Sequence, residues 1–133
     1  MPGEFELIAP PLLRPHEDVD PERLDRLVAE IASAGTFYPP VLVDKKTRVI
    51  LDGHHRWRAS AQLGFTAVPC YAVDYLEDPT IHVISRRPDF EVTKESVLDM
   101  ALSGRTYPKK TTRHTYDLPE SIEPVPLVRL KPL

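Results

Sequence analysis

The most informative ten residues of this chain are Val49-Ile50-Leu51-Asp52-Gly53-His54-His55-Arg56-Trp57-Arg58. The apolar residues predict a buried strand that ends at Leu51, and Gly53 permits a tight turn. A helix is predicted to begin at about Gly53 and to run to Leu63, with Gly64 as its stop signal. This strand–turn–helix unit places two histidines and an arginine in the first turn of a helix.

Apolar spacing predicts further helices and strands around this unit. The clearest helix is Pro21–Ala34, with Asp20 as its N-cap. Its buried stripe is predicted to consist of Leu24, Leu27, Val28 and Ile31. A third helix is predicted over Lys94–Ser103, with Thr93 as its cap. The predicted strands are Val41–Val43 and Val49–Leu51, which form a hairpin, then Ala67–Val73 and Ile81–Ile84. Such interleaving indicates the α/β (α+β) class, with a small mixed sheet and about three helices in one compact domain.

Length and composition limit the class of protein. The chain has 133 residues, which is enough to bury one core but not two. Its net charge of −3 gives no overall attraction to nucleic acid, so any anion site must be local. Met1–Pro10 lacks the features of a secretory signal, and no apolar run is long enough to span a bilayer. We therefore expect a cytoplasmic protein without a nucleic-acid or membrane partner. Its single cysteine, Cys70, is expected to be an inert core residue.

The last segment of the chain is rich in proline. Residues 118–133 contain four prolines, which are incompatible with an α-helix. We therefore expect a folded domain over residues 1–117 and an extended C-terminal extension over residues 118–133. The apolar residues expected to pack the extension on the domain are Val125, Leu127, Val128 and Leu130.

The first turn of the helix after Gly53 is a candidate anion site. Helix N-termini present unpaired backbone N–H groups and the positive end of the helix dipole. His54, His55 and Arg56 add side-chain donors there, which suits a bound phosphate or carboxylate. Alternatively, Asp52 caps the helix while the other side chains point into water, and the residues alone leave both interpretations open. Zinc binding by both histidines is not expected, because adjacent histidines point in different directions and no cysteine is nearby.

Two other clusters carry chemistry. Arg105-Thr106-Tyr107-Pro108-Lys109-Lys110-Thr111-Thr112-Arg113-His114 contains four cations and no acid. Such a run is typical of a solvated basic loop, but its hydroxyls beside cations also form a donor-rich strip for an anion. The second is Arg14-Pro15-His16-Glu17-Asp18, which precedes the first helix. Its carboxylates are candidates for a general base or a magnesium ligand, or they only favour the helix dipole.

Several of these elements together resemble a known family. Leu51–Ala59 is similar to the Asp-Gly-His-His-Arg element of the ParB/sulfiredoxin-like superfamily. Val92–Glu95, Lys110–His114 and Pro15–Glu17 resemble elements of the free serine kinases, which phosphorylate the hydroxyl of unattached L-serine. The resemblance covers residues 7–116 in the same order, and the agreement of separate motifs makes it specific.

The resemblance implies a ParB/sulfiredoxin-like fold and a small-molecule kinase that uses ATP or ADP with Mg²⁺. The residues implied to hold the nucleotide phosphates are Gly53, His54, His55 and Arg56. The residues implied to take part in the chemistry are Glu17, which would activate the serine hydroxyl, Asp52, which would orient magnesium or the reacting groups, and His55. The residues implied to receive the amino acid and the phosphate that it acquires are Thr111, Thr112, Arg113 and His114.

Departures from the family leave alternatives open. Pro108-Lys109 stands where the family has Pro-Pro, and the chain is shorter than the family members, so threonine is an alternative substrate. Sulfiredoxin chemistry is not expected, because His54 takes the place of its catalytic cysteine. A ParB-type DNA clamp is not expected, because no helix-turn-helix domain follows. The alternative from another class is a sensor that binds nucleotide or amino acid without phosphoryl transfer. Neither the donor, ATP or ADP, nor the oligomeric state follows from the sequence.

Overall fold

Helices and strands alternate along the chain around a mixed β-sheet. The computed structural model describes residues 3–132. Its helices are α1 (Pro21–Ala34), α2 (His54–Gln62) and α3 (Lys94–Leu102). Its strands are β1 (Glu4–Ile8), β2 (Thr36–Phe37), β3 (Val41–Asp44), β4 (Ile50–Asp52), β5 (Val68–Val73), β6 (His82–Ser85), β7 (Thr112–Thr115) and β8 (Val125–Pro126). Within residues 3–132 the predicted three helices and small mixed sheet are confirmed.

The central sheet has the strand order β1-β5-β3-β4. β3 and β5 run parallel, whereas β1 and β4 pair antiparallel with their neighbours. Every residue of β3 and β5 is buried, because apolar clusters cover both faces of the sheet. Strands covered on both faces need continuous apolar runs, which is why the sequence pattern predicted them. Cys70 in β5 is wholly buried as predicted, and burial raises the pKa of its thiol to about 12.

The helix ends follow the predicted capping residues with one exception. Asp20 caps α1 by accepting the N–H of Glu22, and Thr93 forms a capping box with Ser96 at α3. At α2 the N-cap is Gly53, with φ +103°, and no side chain caps the helix. The interpretation in which Asp52 caps α2 is therefore wrong. The Asp52 carboxylate instead accepts a hydrogen bond from the Tyr116 hydroxyl.

Within residues 3–132, four strands were not predicted from the sequence: β1, β2, β7 and β8. The sequence predicts a loop or a donor-rich strip for residues 105–114, called here the basic strip, yet Thr112–Thr115 forms β7, which pairs antiparallel with β6. Its inward residues are Thr112 and His114, so it has no apolar alternation to detect. β1 is an edge strand that alternates acidic and apolar residues over 4–7, and its partner, β5, lies 60 to 68 positions away in the sequence.

The C-terminal segment packs on the rest of the chain through three of the four apolar residues predicted to do so. Val125, Leu127 and Leu130 are buried, and β8 pairs with β2. Val128 is 78% exposed, so its predicted packing is wrong. It lies in a single 3₁₀ turn, Leu127–Arg129, in which only Leu127 is buried. Among residues 3–132, no helix combines the length and apolar character needed to cross a bilayer.

Candidate active site

A cavity of about 620 Å³ lies where the segment before α1, the N-terminus of α2 and strand β7 meet. It joins residues as distant in the sequence as Glu17 and His114. The predicted site residues that line it are Glu17, Asp52, Gly53, His54, His55, Arg56, Thr112, Arg113 and His114. Tertiary structure therefore brings the histidine-rich turn, the late basic strip and the N-terminal acid to one place.

The N-terminus of α2 presents unpaired donors to this cavity. Trp57 is the first residue of α2 whose backbone N–H donates to a protein acceptor, the Gly53 carbonyl. Within residues 3–132 the N–H groups of His54, His55 and Arg56 have no protein acceptor. The Nε of Arg56 is also buried without a hydrogen-bond partner there. Buried donors without partners are costly, so this turn favours an anion.

Both the backbone conformation at position 53 and the close packing around it require a glycine. Its positive φ strains any residue that carries a Cβ. A Cβ at this position would also lie 2.9 Å from Nη2 of Arg56 and 3.2 Å from Val41. The glycine therefore allows the Arg56 guanidinium to approach the turn closely.

Glu17 is held in one orientation by the basic strip. Its Oε1 accepts the N–H of Thr111 at 3.2 Å, the N–H of Thr112 at 2.8 Å and the Thr112 hydroxyl at 2.8 Å. Its Oε2 has no protein donor among residues 3–132. A carboxylate with one oxygen fixed and the other free is suited to accept a proton from a ligand in the cavity.

The two adjacent histidines hold the segment that carries Glu17. Nε2 of His54 accepts the backbone N–H of His16 at 3.1 Å, and Nε2 of His55 accepts that of Asp20 at 2.9 Å. These bonds bracket Glu17 on both sides. Because both Nε2 atoms are occupied, only the Nδ1 side of each ring remains for a phosphate. The sequence had suggested ligand binding for these histidines and had missed this positioning role.

Thr111 occupies a different place from the predicted one. It is wholly buried and is absent from the cavity wall. Its hydroxyl donates to the Pro108 carbonyl, and its N–H donates to Glu17. The predicted contact between its side chain and a substrate is therefore corrected: Thr111 closes the turn and orients Glu17.

Further residues of the site were not identified from the sequence. His16 is wholly buried, with Nδ1 2.6 Å from the Ile50 carbonyl and Nε2 2.9 Å from the Thr112 hydroxyl. Tyr116 donates to Asp52, and its burial raises the pKa of its hydroxyl above the ordinary value. His16 stood beside Glu17 in the sequence, but no spacing rule predicts its burial. Arg23 and Arg26 of α1 also line the cavity. The sequence did not indicate this role, because arginines on the polar face of a helix are equally well explained by solvent exposure.

The electrostatics of the cavity favour an anion. Within residues 3–132 the cationic residues that line it are Arg23, Arg26, Arg56, Arg86, Lys110 and Arg113. The acidic residues that line it are Glu17, Glu30 and Asp52. Six cations against three acids leave a formal excess of three positive charges, although the whole chain has a net charge of −3. The cavity is therefore suited to a ligand with several negative charges, such as a polyphosphate.

Three buried histidines around the site are expected to make the protein sensitive to acid. Burial lowers the pKa of His16 to about 4 and that of His114 to about 3, and it lowers the pKa of His54 well below its ordinary value. Because the folded pKa values lie below 6.5, the unfolded chain binds more protons, and stability falls as the pH decreases from about 6.5 to about 4. At pH 5.5 we expect a loss of about 1 kcal/mol for each histidine.

Urea unfolding between pH 7.5 and 4.5 measures this loss. His82→Gln is the control, because His82 is exposed on β6. We expect this variant to lose as much free energy of unfolding between pH 7.5 and 5.5 as the wild type does. A free energy of unfolding that stays constant between pH 7.5 and 5.5 would contradict the neutral, buried state of the three rings.

Comparison with known proteins identifies the family. The sequence model of the ParB N-terminal domain matches residues 4–86, and the chain belongs to that family. A ParB-like protein of Sulfolobus acidocaldarius is 42% identical over 72 residues, which are 54% of this chain and 36% of that protein. An ATP-dependent L-serine kinase of Staphylothermus marinus is 37% identical over 70 residues, which are 50% of this chain and 28% of that protein. An ADP-dependent L-serine kinase of Thermococcus kodakarensis is 29% identical over 91 residues, which are 65% of this chain and 37% of that protein. The matches thus span only 28–37% of the length of these curated relatives.

Solved structures agree on the fold. A free serine kinase in complex with AMP superposes with a TM-score of 0.80 at 17% identity, over 98% of this chain and 94% of that one. The ParB-like family and the ParB-like fold expected from the Asp-Gly-His-His-Arg element are thereby confirmed.

Proposed function

We propose that this chain is a kinase that transfers the terminal phosphate of ATP or ADP to the hydroxyl of free L-serine, giving O-phospho-L-serine. One observation carries the proposal: a fixed carboxylate, Glu17, shares a cationic cavity with the unpaired donors of a helix N-terminus. Relatives described as ATP-dependent and ADP-dependent L-serine kinases support this activity. We include threonine as an alternative acceptor, because the resemblance alone does not select the side chain.

The nucleotide phosphates are proposed to bind at the start of α2. Gly53 and the backbone N–H groups of His54 and His55 provide the anion site, and Arg56 adds its unpaired Nε. Magnesium neutralises charge on the phosphates and usually takes most of its ligands from phosphate and water. The half-exposed carboxylate of Asp52 fits such a site, since one protein carboxylate suffices. Within residues 3–132 there is no cluster of three or more His, Cys, Asp or Glu side chains that would hold a metal without the nucleotide.

Glu17 is proposed to accept the proton of the serine hydroxyl. The hydroxyl oxygen forms a bond to the terminal phosphorus, the bond from that phosphorus to the bridging oxygen breaks, and the shortened nucleotide leaves. The free Oε2 of Glu17 takes the proton of the hydroxyl, while three hydrogen-bond donors hold Oε1 in place. Catalysis then depends on position and charge rather than on covalent chemistry.

The remaining assignments belong to the same proposal. The catalytic set is Glu17, Asp52 and His55, of which His55 acts by positioning. The residues that receive the amino acid and its phosphate are Thr112, Arg113 and His114, with Thr111 behind them. The kinase domain extends over residues 1–117, and residues 118–133 form a proline-rich extension. We place the enzyme in the cytoplasm, where both nucleotides are available, with no nucleic-acid or membrane partner.

Phosphorus NMR tests this function directly. Purified protein is incubated with Mg²⁺, L-serine and either ATP or ADP, with L-threonine in a parallel sample. A new phosphomonoester signal that requires the amino acid is the expected result, and the nucleotide that is consumed identifies the donor. If the nucleotide signals shift without a product, the protein is a sensor and the kinase proposal is wrong.

A further inference from the structure

Glu17 and His16 share a single hydroxyl group. Oγ1 of Thr112 lies 2.8 Å from Oε1 of Glu17 and 2.9 Å from Nε2 of His16. Thr112 and His16 are both buried. The three groups therefore form a continuous hydrogen-bonded series with the hydroxyl in the middle, which runs from the half-buried Glu17 at the cavity to the buried His16.

In the resting state these three side chains have more hydrogen-bond acceptors than donors. Nδ1 of His16 lies 2.6 Å from the Ile50 carbonyl, which can only accept, so Nδ1 carries the ring proton. Burial lowers the pKa of His16 to about 4, so the ring is neutral near pH 7 and its Nε2 presents a lone pair. The ionised carboxylate of Glu17 also presents a lone pair to the same hydroxyl. One proton on Thr112 thus faces two acceptors.

We propose that the Thr112 hydroxyl is a switch that donates to Glu17 while the carboxylate is ionised and to His16 once Glu17 has accepted a proton. In the resting state the charged carboxylate is the stronger acceptor, so the hydroxyl donates to Oε1. When Oε2 takes the proton of the substrate hydroxyl, Oε1 loses its charge and still accepts two backbone N–H groups. The Thr112 hydroxyl then rotates to Nε2 of His16. Only one proton changes atoms, from the substrate oxygen to Oε2, and it later leaves to solvent.

His16 is therefore a positioning residue that stabilises protonated Glu17 through Thr112. The bond from Nδ1 to the Ile50 carbonyl fixes the ring so that Nε2 always faces the hydroxyl. The edge-to-face contact with His54, at 4.5 Å between ring centroids, further restricts the ring. The effect of this switch on turnover rests on the proposed kinase function, but the hydroxyl rotation itself does not.

Two substitutions of His16 separate the switch from simple packing. His16→Asn retains an N–H near the position of Nδ1 and removes the acceptor at Nε2, whereas His16→Gln places an amide oxygen near Nε2. We expect His16→Asn to lower kcat about tenfold, the rate equivalent of one hydrogen bond, with KM for serine unchanged. His16→Gln is expected to restore most of kcat although it loses the bond to Ile50. Equal losses in the two variants, or a loss confined to KM, would overturn the role in catalysis.

Nitrogen-15 NMR of the His16 ring tests the rotation without any activity. Glu17→Gln imitates the protonated carboxyl, because its amide oxygen carries no charge. We expect the Nε2 signal of His16 to move upfield in Glu17→Gln, as it does when a nitrogen lone pair gains a donor, and to return in the double variant that also carries Thr112→Val. An Nε2 signal that is the same in the wild type and Glu17→Gln would overturn the switch. If the wild type makes no phosphoserine, the proposed function fails while this measurement still decides the switch.

Discussion

Glu17→Gln is expected to reduce the rate of phosphoserine formation by about a hundredfold or more, because the variant has no base at the position of Oε2. The amide has nearly the same shape, and its oxygen can still accept the N–H groups of Thr111 and Thr112. The cavity should therefore keep its form, and the affinity for ADP should stay unchanged. Initial rates by phosphorus NMR and calorimetric titration with ADP measure the two quantities separately.

The matched control for this substitution is Glu22→Gln. Glu22 is an acid in the first turn of α1, five positions after Glu17, but it is exposed and does not line the cavity. It should alter neither the rate nor the affinity. Turnover of Glu17→Gln within a factor of two or three of the wild type would remove Glu17 from the mechanism.

Arg56→Ala is expected to weaken nucleotide binding by about tenfold to a hundredfold, which corresponds to the loss of a hydrogen bond to a charged phosphate. In the structure, Nη2 of Arg56 donates to the Pro40 carbonyl and lies 4.0 Å from the Asp52 carboxylate. Its Nε is buried without a protein partner within residues 3–132, so a phosphate bound at the N-terminus of α2 would satisfy a costly unpaired donor. Titration with AMP and ADP measures the change.

Arg58→Ala is the control for charge. Arg58 belongs to the same helix, but it is exposed and its guanidinium lies over the Trp57 ring at 5.5 Å. It has the same formal charge as Arg56 and should leave the dissociation constants unaltered. Identical titration curves for Arg56→Ala and the wild type would place the phosphates elsewhere in the cavity.

The elements with local signals could be predicted from the sequence. α1 has the bounds expected from its N-cap Asp20, its apolar spacing and the terminating Gly35, since these features act within a few residues of one another. The hairpin of β3 and β4 and the cap of α3 follow the same rule. β7 could not be predicted, because its inward residues are Thr112 and His114 and only pairing with β6 makes it a strand.

The candidate site was predictable in its residue types but not in its internal contacts. Two histidines and an arginine after Gly53 indicated an anion site, because every helix N-terminus has unpaired donors. No pattern in the sequence showed that His54 and His55 accept backbone N–H groups on either side of Glu17. Such contacts join residues more than thirty positions apart and depend on how α2 packs against the segment before α1.

The sequence by itself determined the local conformation: where the helices begin and end, which strands are buried, and that hydrogen-bond donors lie together in the turn after Gly53. Capping, glycine at positive φ and apolar spacing are short-range effects, so neighbouring residues suffice to specify them. Only the tertiary structure decided that Glu17, the start of α2 and β7 line one cavity, and that a buried histidine lies behind the carboxylate. The physical reason is that burial, and with it the protonation of His16, depends on what the whole sheet and its helices exclude from water.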